Sequence, residues 1–310
     1  VTINIFAPAA NAHIISAPSQ LGENSLNALL ANANRSMSSS RLITFDLSKL
    51  NFIEPIGVAA LTCLGEYALT NWSVTYAGTE GTNDAISYLR AIQYISRIKN
   101  QTINSYPNPY QNYIPLNIFS QGQYNNYLYN ELSPWLEQKL NLHPETTESI
   151  RVNLEEAYLN IRHHSGTQSG CTVAQFYPKL HLVRFAIADW GKGVPARVRE
   201  FIKETRRIPD ADLLFRACQH GFSSKSVEGN RGYGLFNLIK YFVRNNGGSI
   251  FIKSDLGELT IRNDGPTTEP KFFKKNVSHL HKYYGTLLSI TLRTDKLIDG
   301  PMEREDLEWT

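Results

Sequence analysis

Phe185-Ala186-Ile187-Ala188-Asp189-Trp190-Gly191-Lys192-Gly193-Val194-Pro195 joins an apolar run to an aspartate, two glycines spaced by one residue, and a proline. The run predicts a strand over His181 to Ala188 that feeds a glycine-rich turn, with Pro195 starting a helix. An aspartate at a strand end can accept from an amino group on a heterocyclic base. Gly191 and Gly193 remove side chains where a flat ligand would approach the backbone. A tight turn explains the same residues equally well.

The segment before it predicts two helices, Tyr124 to Leu140 and Pro144 to His164, and a strand Tyr113 to Phe119. In the second helix Glu156, Asn160 and His164 follow at i, i+4 and i+8, which aligns a carboxylate, an amide and an imidazole on one face. A carboxylate beside an amide oxygen can orient water and supply an oxygen ligand to Mg²⁺. A solvated helix face is the alternative. Downstream, Ser223, Ser224 and Lys225 precede Gly229, Arg231, Gly232 and Gly234, directly before a helix Leu235 to Asn245. Backbone N–H groups at a helix start, with Lys225 and Arg231, suit a polyphosphate, although a plain loop carries such glycines as often. Asn246-Gly247-Gly248 then turns the chain into a strand Ser249 to Ser254.

The first hundred residues alternate short apolar strands (Val1 to Phe6, His13 to Ser16, Leu42 to Asp46, Val74 to Tyr76) with helical segments. Pro55 opens one helix, whose Val58, Leu61, Leu64, Gly65 and Ala68 recur at helical spacing and predict one apolar face. Between Asn100 and Asn130 the composition turns to Asn, Gln, Tyr, Ser and Pro, the mark of a linker. At roughly 150 residues per domain, 310 residues predict two α/β (α+β) domains, and the division is placed at 1–108, 109–295 and a C-terminal tail 296–310.

Lys and Arg exceed Asp and Glu by 31 to 28, and a net charge of +3 argues against general nucleic-acid binding. Three scattered cysteines, Cys63, Cys171 and Cys218, fit neither a disulfide framework nor a zinc knuckle and point to a reducing cytoplasm. Ile56 to Leu69 is shorter than the roughly 20 residues of a membrane span, no basic residue precedes Arg35, and neither membrane insertion nor a secretory signal is expected.

The three patterns Glu156-x3-Asn160-x3-His164, Asp189-x-Gly191-x-Gly193 and Gly232-x-Gly234 stand in the order found in one fold. From about Tyr113 to Arg293 the chain resembles the GHKL ATPases, the superfamily of gyrase and the sensor histidine kinases, whose ATP-binding domain is a Bergerat-type two-layer α/β sandwich. Phe222-Ser223-Ser224-Lys225 is most similar to the Phe-Thr-Thr-Lys of the serine kinases that act as anti-sigma factors. The resemblance implies ATP and Mg²⁺ as cofactors. It gives Glu156 the attacking group to orient or deprotonate, Asn160 the metal, and Asp189 the adenine amino group. Gly191 and Gly193 border the base; Gly232 and Gly234 hold phosphates, with Arg231 beside them; Lys225 reaches the terminal phosphate. Thr286 contacts adenine through water, and His164 sits where the family often has histidine.

Phe45-Asp46-Leu47-Ser48 and Phe52-Ile53-Glu54-Pro55-Ile56-Gly57 resemble the STAS domain of anti-sigma antagonists over residues 1 to 100. Ile56 replaces the phosphorylatable serine, so this resemblance implies an interaction domain that has lost its switch. The combined expectation is an anti-sigma-type serine kinase or slow ATPase acting on a protein partner that is sigma-factor-like, toxin-like or STAS-like, with homodimerisation left open. The alternative is a catalytically silent, nucleotide-gated binding module. Between Ser254 and Gly285 some thirty residues replace the short turn usual in the family; Lys271-Phe272-Phe273-Lys274-Lys275, His279, His281 and Lys282 are read there as a solvated loop.

Overall fold

The computed structural model describes residues 12–38, 42–101, 111–119, 124–165, 170–203, 208–220, 234–263 and 269–300, with the side chains of 160–165 outside that description. The expected strand Val1 to Phe6, and residues 102–110 and 120–123 of the linker-like stretch, lie outside the described residues.

The N-terminal half carries β1 (His13–Ser16), β2 (Gln20–Leu21), α1 (Leu26–Met37), β3 (Leu42–Asp46), β4 (Phe52–Ile53), α2 (Pro55–Asn71), β5 (Ser73–Ala77), α3 (Asp84–Ala91) and α4 (Tyr94–Ile98). β1, β3 and β5 form a parallel sheet in the order β1-β3-β5. Strands this short and apolar pair in parallel because helices return the chain to the same edge.

The remainder forms a seven-stranded sheet from β6 (Tyr113–Phe119), β7 (Gly170–Tyr177), β8 (Leu182–Asp189), β9 (Ser249–Asp255), β10 (Gly257–Arg262), β11 (Lys271–Asn276) and β12 (Tyr283–Arg293). Its order is β11-β10-β9-β12-β8-β7-β6, with every neighbour antiparallel. One face is covered by α5 (Tyr124–Tyr127), α6 (Ser133–Leu140), α7 (Pro144–Ser165), α8 (Gly193–Ile202), α9 (Asp210–Ala217) and α10 (Gly234–Ile239). The helices expected over Tyr124 to Leu140 and Leu235 to Asn245 each contain a π-helical stretch, Leu128–Leu132 and Lys240–Asn245.

α2 departs from the amphipathic reading. Twelve of its residues are buried, from Pro55 through Gly65 without a break and again at Ala68, so the helix is enclosed all round. It lies between the three-stranded sheet and the second face of the larger one, against β7, β8 and β12. The alternation along β8 explains how. Val183, Phe185 and Ile187 point to the helical layer, while Ala186 and Ala188 point to α2, and small side chains let the helix axis approach the sheet. Each fully buried Leu, Ile or Val on α2 contributes about 1.5–3 kcal/mol relative to exposure. The two halves therefore share one continuous core, in which Phe45 and Leu61 are joined to Val173, Phe251 and Leu287.

Polar contacts line the same seam. Glu54, the residue just before α2, pairs with Arg184 of β8, and Asn27 of α1 donates to Glu258 Oε1 (2.7 Å). Lys253 is 0% exposed, 3.5 Å from Glu258, and burial pulls its ammonium down to about 8. Ile56 is buried in the first turn of α2, whereas Ser48 is exposed on the turn before it.

The excursion between Ser254 and Gly285 is not the solvated loop expected. It extends the sheet by β10 and β11, then makes a short 3₁₀ turn at His279–His281 that packs on α1. Asn34 Nδ2 donates to the carbonyls of Leu280 and Lys282, both at 2.9 Å. Lysines of this segment meet the chain's own carboxylates: Lys274 with Asp212, Lys275 with Glu258 and Lys282 with Asp255. The C-terminal segment is also anchored, since Asp299 Oδ1 accepts from the His143 N–H (2.8 Å) and Thr146 Oγ1 (2.7 Å) at the start of α7. Among the described residues no helix is long and apolar enough to cross a membrane.

Candidate functional site

Asp189 ends β8 on the face that Val183, Phe185 and Ile187 turn to the helical layer. Register sets Thr286 of β12 opposite it, and Ser254 of β9 opposite Thr286. Three polar side chains thus form a row across three adjacent strand ends, 0%, 4% and 0% exposed for Asp189, Thr286 and Ser254. A polar row in such a place is costly unless its atoms are paired or used by a ligand.

Most of the row is paired. The Gly191 N–H donates to Asp189 Oδ1 (2.7 Å), and the buried Tyr283 hydroxyl donates to the Asp189 carbonyl (2.8 Å). Ser254 Oγ accepts from the Val194 N–H (3.1 Å) and donates to the Gly285 carbonyl (2.6 Å), fastening the start of α8 to β9 and β12. Asp189 Oδ2 is the exception: it is buried and makes no hydrogen bond of normal geometry among the described residues, although Thr286 stands close enough to act on the carboxyl. Burial pushes the Asp189 carboxyl up to about 7, against the opposing pull of the Gly191 amide and Thr286.

The glycines of the turn serve the backbone. Gly193 has φ +76°, and a Cβ there would stand 2.5 Å from Ser254 Oγ and 2.8 Å from the Gly285 carbonyl. Gly285, at φ +111°, would place a Cβ 2.3 Å from the Asp189 carbonyl oxygen. Close packing within the fold therefore accounts for Gly193 without a ligand. α8 begins at Gly193 itself, two residues ahead of Pro195.

α7 lies over β8 and β12 and against α8 and α10. Arg151, buried on this helix, pairs with Glu148 and with Glu155 (3.0 Å) and lies over the Tyr129 ring, which fixes the helix and occupies Glu155. Glu156 makes no ion pair among the described residues; burial, with Glu155 adding to it, holds its carboxyl above the usual range. Asn160 and His164 fall in the last turns of α7, but their side chains lie outside the described residues, as do Lys225, Arg231 and Gly232. Gly234 opens α10, which packs on α7.

The structure thus brings together Asp189, Gly191, Gly193 and Thr286, and sets the helix of Glu156 and Asn160 over their strands. Sequence reasoning missed Ser254, Tyr283 and Gly285. Ser254 reads only as a strand end, because its partners are 31 and 60 residues away; Gly285 was signalled only as the neighbour of Thr286. Among the described residues no group of three His, Cys, Asp or Glu could hold a metal ion. A Mg²⁺ bound by one protein oxygen, phosphates and waters needs no such group. A separate cleft of about 450 Å³ opens between α2 and α4, beside Glu66, Tyr76, Tyr94 and Arg97, in the N-terminal half.

No protein-family model matches this chain, and no curated protein matches it significantly.

Proposed function

We propose that the chain binds Mg-ATP on the helical face of its large sheet, at the ends of β8 and β12, and acts as a GHKL-type protein serine kinase or slow ATPase. In this reading residues 109–295 are a Bergerat-type domain and the N-terminal half is a STAS-like domain held in cis. The observation that carries it is Asp189 Oδ2, a buried acceptor without a hydrogen-bond partner among the described residues, at a strand end, in a row with Thr286 and beneath α7. An adenine amino group is a donor of the kind that oxygen lacks. Asp189 is 0% exposed, so a base reaches it only through local opening around the strand end.

The remaining roles follow the motifs. Glu156, its carboxyl made more basic by burial, orients or deprotonates the attacking hydroxyl. Asn160 would supply the oxygen ligand to Mg²⁺, and Lys225, Arg231, Gly232 and Gly234 would hold the phosphates. Mg-ATP, when bound, supplies the transferable phosphoryl group. Such transfer asks the protein chiefly for positioning and charge neutralisation. α2 is buried against β7, β8 and β12, so in this reading the STAS-like helix contacts its ATP-binding partner within one chain.

The test follows ADP, free phosphate and label on protein after incubation with Mg-ATP. Phosphate release identifies an ATPase, and label on a serine of this chain or of an added partner identifies a kinase. Tight binding with neither product supports the nucleotide-gated module instead. Absence of binding at millimolar ATP overturns the proposal.

A further inference from the structure

Cys63 of α2 and Cys171 of β7 stand in the core shared by the two halves, 108 residues apart in sequence, with Sγ to Sγ at 3.7 Å. Both are buried at 0–1% exposure, and the Cys171 thiol also approaches the Ala59 carbonyl (3.7 Å) on α2. A disulfide has its sulfurs about 2.05 Å apart, so closure needs about 1.7 Å, shared between two side chains that can each turn about χ1. Cys171 lies opposite Ala188 in the β7–β8 register, one residue from Asp189.

We propose that Cys63 and Cys171 are a disulfide-forming pair, cross-linked by a peroxide, that covalently ties α2 of the N-terminal half to the large sheet. One sulfur, as its transient thiolate, attacks a peroxide oxygen; the O–O bond breaks and the departing hydroxide takes a proton to become water. The resulting sulfenic acid is attacked by the second sulfur, the S–S bond forms, and the hydroxyl leaves with the second thiol's proton as another water. Two thiols and one hydrogen peroxide give one disulfide and two waters, the two electrons passing to the peroxide. Burial, reinforced by the neighbouring Cys171, raises the Cys63 thiol well above its ordinary range, so thiolate is scarce and the reaction is slow. The inference does not depend on nucleotide binding.

Cys218 provides an internal control. It belongs to the core of the helical layer, away from the pair, and burial pushes its thiol up to about 12. The experiment exposes the native full-length chain to hydrogen peroxide, quenches it, unfolds it in an alkylating agent and maps peptides without reductant. The expected result is the loss of two of three alkylatable thiols, a linked Cys63–Cys171 peptide that dithiothreitol separates, and an alkylated Cys218. Cys218→Ser leaves the link intact and Cys63→Ser abolishes it. Three alkylated thiols after prolonged exposure, singly oxidised Cys63 and Cys171 without a linked peptide, or links scrambled onto Cys218 would each overturn the proposal. Because the primary result is read on the unmodified sequence, a variant that fails to fold does not rescue it.

Discussion

Asp189→Asn is expected to weaken ATP binding by about 1–3 kcal/mol while making the ligand-free protein more stable above neutral pH. The two effects share one cause. The amide keeps the size of the carboxylate and an oxygen for the Gly191 N–H, but it puts an NH₂ where Oδ2 now stands, so a donor faces the adenine amino group. Stability moves the other way because the carboxyl is raised in the fold, to about 7 from an ordinary value of 3.8. Between those values the unfolded chain is ionised at this residue and the folded chain holds its proton, so rising pH favours unfolding until both are ionised. At about 1.4 kcal/mol per pKa unit, the stability lost across that window reaches about 4 kcal/mol at most. The variant lacks this slope. Urea denaturation of both proteins at about pH 5 and about pH 8 measures it as a difference, which cancels the other carboxylates. Equal slopes, or a variant less stable at the higher pH, would show that Asp189 is not the strained acceptor described. A buried group that lowers stability is what a site kept for a ligand looks like.

Glu156→Gln is expected to lower ADP formation by about 100- to 10,000-fold, with ATP affinity changed less than about threefold. Gln preserves the length of the side chain and its helix propensity, so α7 and its Arg151 anchor stay in place. What disappears is the basic oxygen. Single-turnover ADP formation, with affinity measured in parallel by calorimetry, separates the two quantities. A parallel loss of affinity and rate would make Glu156 a binding or folding residue; an unchanged rate would remove it from catalysis.

The strands and helices around the site were legible because their signals are local. Tyr113–Phe119 begins and ends where the apolar run does, α7 ends one residue beyond the expected His164, and Asp189 falls at the end of its strand. The enclosure of α2 was not legible as such. Its residues repeat at helical spacing, yet what covers its second face is a sheet formed more than forty residues later, admitted by Ala186 and Ala188. β11 was missed for a different reason. It is an edge strand, largely exposed, and its Lys271, Lys274 and Lys275 are the residues that protect an edge from unwanted pairing, so the run reads as loop. The unsatisfied Oδ2 is a property of three-dimensional pairing, and no reading of Asp189-Trp190-Gly191 alone could reveal it.

Adenine recognition is read by a calorimetric titration of the unmodified protein at about pH 8, where the Asp189 carboxyl is ionised, with Mg-ATP and with Mg-inosine triphosphate, which carries a carbonyl in place of the amino group. Recognition by Asp189 predicts that ATP binds about tenfold or more tightly than the inosine analogue, since the carbonyl would set an acceptor against the carboxylate. Equal affinities for the two, or no heat of binding for ATP at millimolar concentration, would contradict the assignment of Asp189 to the base.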